Sequence, residues 1–132
     1  MTHSFGQTSR DRLSTCDERL QRVFNEVIKH RDCSILCGHR GQAEQDEALR
    51  TGKSKLGWPK SNHNTLPSKA VDAAPYPVDW NDRDRFQVFG GFVLGIAASM
   101  GITLRWGGDW NGNGTNRDQT FHDLPHFEVV DP

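Results

Sequence analysis

At 132 residues, with 16 basic and 17 acidic side chains and a formal net charge of −1, the chain has the size of one domain. That length suits a single core and is small for two. Balanced charge argues against a broad electrostatic grip on nucleic acid, and no apolar run reaches the roughly 20 residues needed to insert across a bilayer.

Met1 to Gln7 lacks the charged and then apolar pattern of a secretory signal, so synthesis is expected to end in a cytoplasm. Cys16, Cys33 and Cys37 make an odd set, which argues against a disulfide framework. The spacing of Cys33 and Cys37 places both on one face of a strand-like run, as buried thiols rather than zinc ligands.

Residues 1–13 show little pattern and read as a loop or extended lead-in. Thr15-Cys16-Asp17-Glu18 has capping-box spacing. Leu20, Val23, Phe24, Val27 and Ile28 then recur at helical steps, giving an amphipathic helix of about four turns. Cys33 to Cys37 reads as a strand, Gly38 to Gly41 as a turn, and Gln42 to Arg50 as a polar helix stopped at Thr51-Gly52. Lys53 to Pro67 is irregular, and a loop of that length in a small domain is more often functional than idle.

Ala70 to Ala74 is a strand candidate ended by Pro75. A second long helix, capped by Asp79 or Asn81, carries Phe86, Phe89, Phe92, Val93, Ile96, Ala97 and Met100 on a broad apolar face. Its Gly90, Gly91 and Gly95 each weaken helix propensity by about 1 kcal/mol relative to Ala, which points to close packing against another backbone. Ile102 to Trp106 is a strand, Gly107 to Gln119 a Gly- and Asn-rich loop, and His126 to Val130 a final strand. The order predicts an α+β domain, 1–132, with a small, mainly antiparallel sheet and helices packed beside it.

Chemistry concentrates at two places. His63 lies in a polar, turn-prone run and Asp72 inside the short apolar run that follows. Asp123-Leu124-Pro125-His126 puts a second carboxylate three positions before a second histidine. Imidazole and carboxylate are ligands of catalytic zinc, which takes three protein ligands and keeps one position for water. The reading is zinc on His63, Asp72 and His126, at the sheet, with Asp123 as general base toward water and later toward the leaving amine. His122 competes as ligand or base but lies outside the strand. The bland readings are a turn-capping Asp123 and core histidines. Separately, Asp109-x-Asn111-x-Asn113-Gly114 has the alternate oxygens of the first half of a calcium loop. Thr120 stands where that loop needs its glutamate, Asp118 is the substitute, and plain turn chemistry explains the same residues.

Ser61-x-His63, Ala70-Val71-Asp72-x-x-Pro75 and Asp123-Leu124-Pro125-His126-Phe127 resemble the zinc peptidases of the D-alanyl-D-alanine metallopeptidase type, whose fold is hedgehog/D,D-peptidase-like. Within them the chain looks most like phage endolysins that cleave the L-alanyl-D-glutamate bond of peptidoglycan. Gly38-x-Arg40 with Gln45, and Leu104 to Trp110, match the family's flanking elements, so the likeness runs over about residues 34–130. The resemblance implies the same three zinc ligands and the same base. It also implies that Arg40 holds a substrate carboxylate or the developing oxyanion, a task suited to a guanidinium fork. Ser61 orients the loop or bonds the substrate, and Trp106 walls the pocket or sits in the core. The stretch Asn64 to Val71 is a pair of residues longer than the commoner family spacing, which bears on the shape of the substrate rim.

A monomer is expected, and the resemblance further implies synthesis in the host bacterial cytoplasm and release to the wall through a holin. Two other functions fit the residues: a D-alanyl-D-alanine dipeptidase or carboxypeptidase using the same site, and a non-catalytic binding module whose zinc is closed by His122.

Overall fold

The computed structural model describes residues 3–115, 117 and 122–131. Four strands form one sheet: β1 (Cys33–Cys37), β2 (Ala70–Pro75), β3 (Leu104–Trp106) and β4 (His126–Val129), in the order β1-β2-β4-β3, with every pairing antiparallel. The helices are α1 (Gln7–Leu13), α2 (Glu18–Val27), α3 (Gln42–Arg50) and α4 (Arg83–Ser99), and a 3-10 turn spans Asn62–Asn64.

Period-two alternation sets the two faces of the sheet. Val71, Ala73, Phe127 and Val129 point into the core, where α2 and α4 pack through Leu20, Val23, Phe24, Val27, Phe86, Phe89 and Val93. Phe127 is the centre of this cluster. It meets Phe24 and Phe89 edge-on at ring-centroid distances of 5.6 and 6.2 Å and stacks on Trp106 at 6.5 Å. The opposite face, carrying Asp72, His126 and Glu128, is left for chemistry.

Several local expectations need correction. Residues 7–13 are helical, not a loop: the helix covers the free edge of β1, where Ser9 Oγ accepts from Ile35 N at 3.0 Å and Arg12 Nη1 donates to Ile35 O at 3.1 Å. Edge strands need such cover, and polar side chains supply it here, so no apolar stripe marks the helix. Helix α2 is ten residues long, shorter than four turns, and its cap is Asp17, which accepts from Arg19 N. Thr15 Oγ1 is engaged elsewhere, donating to Arg12 O and accepting from His39 N. Helix α4 is capped by Asp82 rather than Asp79 or Asn81, because Asp79 closes a turn onto Asn81 N just before it. Strands β3 and β4 are shorter than the apolar runs around them.

The two cysteines of β1 do not share a face. Pairing runs Cys33↔Pro75 to Ile35↔Ala73 and then jumps to Cys37↔Asp72 across an irregularity. That extra residue turns Cys37 to the Asp72 side, whereas Cys33 stays buried in the core. Burial pushes the thiols of Cys16 and Cys33 up to about 12, which makes both inert packing groups.

Of the three α4 glycines singled out above, Gly90 alone is tight: a Cβ there would overlap the ring of Trp106, while Gly91 and Gly95 face open space. Gly90→Ala is therefore expected to lower stability by about 1–3 kcal/mol through overpacking. Gly91→Ala, at an exposed helical position, should leave stability unchanged or raise it by up to about 1 kcal/mol. Denaturant unfolding of the two variants checks both signs.

Candidate metal and catalytic site

The site begins with a register. Strands β2 and β4 pair so that Asp72 stands opposite His126, with Val71 opposite Phe127 and Ala70 opposite Glu128. Directly opposed residues share a face, so Asp72, His126 and Glu128 come together on the side away from the core.

His63 arrives from the 3-10 turn above this face. Ser61 caps that turn, its Oγ accepting from His63 N at 3.2 Å. The turn is tied to Gly38–Arg40 by Arg40 N donating to His63 O at 2.7 Å and by Asn64 Nδ2 donating to Arg40 O at 3.0 Å. Gln45, fully buried, joins the pieces: its Oε1 accepts from Asn64 and Arg40, and its Nε2 donates to Ser54 Oγ and Leu56 O. Thr65, Leu66 and Pro67 bulge outward and are exposed, and they line neither cavity beside the site.

His63, Asp72 and His126 each offer one ligand atom, and these atoms lie within 4.8 Å of one another. His63 Nε2 is 3.2 Å from Asp72 Oδ1, and His126 Nδ1 is 3.4 Å from the same oxygen. Ligands about 2.0–2.1 Å from a tetrahedral ion stand about 3.3 Å apart, so the spacing fits one small cation. The far nitrogens are both occupied. His63 Nδ1 donates to Gly38 O at 2.7 Å, and His126 Nε2 donates to Glu128 Oε1 at 2.7 Å. Such outer partners fix the tautomer and aim the remaining lone pair at the metal position. Glu128 is itself held by Asn62 Nδ2 at 2.9 Å and by Arg105 Nη2 at 3.0 Å. Reasoning from sequence missed Glu128; its place two residues after His126 on one strand was the available signal.

Asp123 stands beside this group, its Oδ2 3.9 Å from His126 Nδ1. Gly107 sets its position: Gly107 O accepts from Asp123 N at 2.9 Å, and a Cβ on Gly107 would run into the Asp123 backbone. Burial, reinforced by the charge of Asp72, pushes the Asp123 carboxyl up to about 6 against the pull of His126, His63 and Arg40. Arg40 sends Nη2 to within 3.5 Å of Asp72 Oδ2 and lines the cavities on both sides of the site.

Two candidate residues lie outside the ligand group. Trp106 is core, not wall: it pairs with Phe127 across β3 and β4, so it shares the buried face, and its Nε1 donates to Leu124 O at 2.7 Å. Trp110 lines the cleft instead, its ring 5.4 Å from that of His126. His122 is not part of the ligand group; its Nδ1 accepts from Arg83 Nη2 at 2.8 Å. Among the described residues no fourth protein ligand closes the group. In the Asp109 turn, Oδ1 accepts from Asn113 N and Oδ2 from Gly114 N, which is turn geometry. Asn111 Oδ1 likewise accepts from Asn113 N, and of the remaining calcium-loop positions Asp118 and Thr120 lie outside the described residues.

Sheet, ligand group and adjacent carboxylate together define a small hydrolase domain with a place for one metal ion. A model of the phage L-alanyl-D-glutamate peptidase family matches residues 1–130, and the chain belongs to that family. It is 33% identical to the L-alanyl-D-glutamate peptidase of Escherichia phage T5, over 98% of this chain and 100% of that one. It also resembles the crystal structure of the Serratia marcescens L-Ala D-Glu endopeptidase ChiX, with a TM-score of 0.74 at 28% identity, covering 96% of this chain and 89% of that one.

Two expectations follow for the metal-free protein. Burial alone would keep both imidazoles neutral, but Asp72 outweighs it, holding His63 up at about 10 and His126 up at about 9. Metal ligation requires neutral imidazole, so binding near pH 7 must expel protons and affinity must rise as pH rises toward those values. Calorimetry of zinc binding in buffers of different ionisation enthalpy should show net proton release; none would contradict the assignment. Glu128→Ala should weaken zinc affinity by about 10–100-fold in a chelator competition, because His126 loses its orienting partner.

Proposed function

We propose that this chain is a zinc-dependent endopeptidase that hydrolyses the L-alanyl-D-glutamate amide of peptidoglycan stem peptides. The observation that carries the reading is the convergence of His63 Nε2, Asp72 Oδ1 and His126 Nδ1 beside a half-buried Asp123. When bound there, the ion supplies Lewis-acid polarisation and lowers the pKa of water toward about 7.

The chain's own residues supply the rest. Asp123, with its carboxyl raised toward neutrality, accepts a proton from the attacking water and returns it to the departing amine. The water oxygen bonds to the alanyl carbonyl carbon, the C–N bond breaks, and the products are an alanyl carboxylate and a new D-glutamyl amine. Arg40, pinned by Gln45 and Asp72, presents a fixed positive charge where the carbonyl oxygen gains negative charge. Ser61 acts by capping the turn that holds His63.

An internal bond is favoured over a chain end by the openness of the site. Arg40 and Asp123 line cavities on both sides, so a polymer strand can lie across the metal position. A dipeptidase or carboxypeptidase needs a closed end to grip a terminus. The missing fourth ligand among the described residues likewise favours turnover over a structural ion. We place synthesis in the host cytoplasm, with access to the wall after holin-mediated release; no helix among the described residues is long and apolar enough to cross a membrane.

Digestion of purified sacculi tests the reading: new N-terminal D-glutamate is expected, and free D-alanine would support the rival. Chelation should abolish release and zinc should restore it. Asp123→Asn should keep about one bound zinc yet lose about 10²–10⁴-fold in kcat, the usual worth of a general acid–base group. Retained activity would refute its role.

A further inference from the structure

The cavities flanking the metal position differ in chemistry. The first, of about 390 Å³, is edged by Lys60 and Arg105, and Lys53 lies between it and the second. The second, of about 670 Å³, is walled by Trp80, Phe86, Leu124 and Pro125. Trp80 is 60% exposed at its mouth. One face of its indole stacks on Phe86, with centroids 5.3 Å apart and planes 16° from parallel, and Phe86 is buried at the root of α4. The indole is therefore held flat from behind with its other face open.

An open aromatic face on a rigid backing is what a pyranose ring requires, because the C–H face of the sugar lies flat on it.

The substrate is asymmetric in the matching way. In peptidoglycan the L-alanyl nitrogen is joined through a lactyl group to muramic acid, so a sugar lies one residue from the scissile bond on its amino side. The carboxyl side brings the D-glutamyl carboxylate, which the lysine-edged cavity favours. Resting on the peptidase reading above, we propose that Trp80 is a sugar platform: the second cavity receives the muramoyl residue on the amino side of the scissile amide, and the cavity edged by Lys60 and Arg105 receives the D-glutamyl side.

Two soluble substrates test this: a muropeptide bearing its disaccharide on L-alanine, and the same peptide with an acetyl group in place of the sugar. Trp80→Ala should raise KM for the muropeptide about three- to tenfold while leaving kcat and the sugar-free peptide unchanged. Trp80→Phe should recover most of the loss. Equal effects on both substrates, or none on either, would overturn the platform. If the wild-type protein cleaves neither peptide, the peptidase reading fails and the platform fails with it.

Discussion

The pairing of β2 with β4 governs everything else in this molecule. With Asp72 opposite His126, Val71 opposite Phe127 and Ala70 opposite Glu128, one register builds the hydrophobic core and the polar site at once. A slip of a single residue would turn Asp72 into the core and Phe127 into the cleft, since side chains alternate along a strand. Burial of Phe127 against Phe24, Phe89 and Trp106 opposes that slip. The core thus fixes the metal position through geometry, without any core residue touching it.

On the polar face the governing term is the Asp72 carboxylate. Burial disfavours its charge, yet His63 and His126 outweigh that and hold its pKa well below the usual carboxylate range. In the ion-free protein the imidazoles are charged partners of this carboxylate, and a cation would replace their protons. The Gly38 carbonyl and Glu128 keep both rings aimed in either state. Part of this support comes from a defect: the irregularity before Cys37 that turns the end of β1 toward Asp72 lies just ahead of Gly38.

Much of this was legible in the sequence. The run Cys33 to Cys37 and the polar helix Gln42 to Arg50 carried the fold class, and His63, Asp72 and His126, singled out by residue type, come together as a group that could hold a metal ion. What stayed hidden depends on contacts between distant segments. Helix α1 has no apolar stripe because its side chains serve the backbone of Ile35, and Thr15 is drawn from capping to His39. Glu128 looked like an ordinary strand residue until the strands were paired. Trp106 and Trp110 are alike as residues; the pairing of Trp106 with Phe127 decides which is core and which lines the cleft. The flanking cavities and the Trp80 shelf are products of packing that local pattern does not encode.

Diffraction from zinc-loaded crystals, with anomalous data at the zinc edge, tests the central claim most directly. The account predicts one strong peak touching His63 Nε2, Asp72 Oδ1 and His126 Nδ1, with a solvent oxygen in the fourth position facing Asp123. A peak on other side chains, or one closed by His122 as a fourth protein ligand, would contradict it.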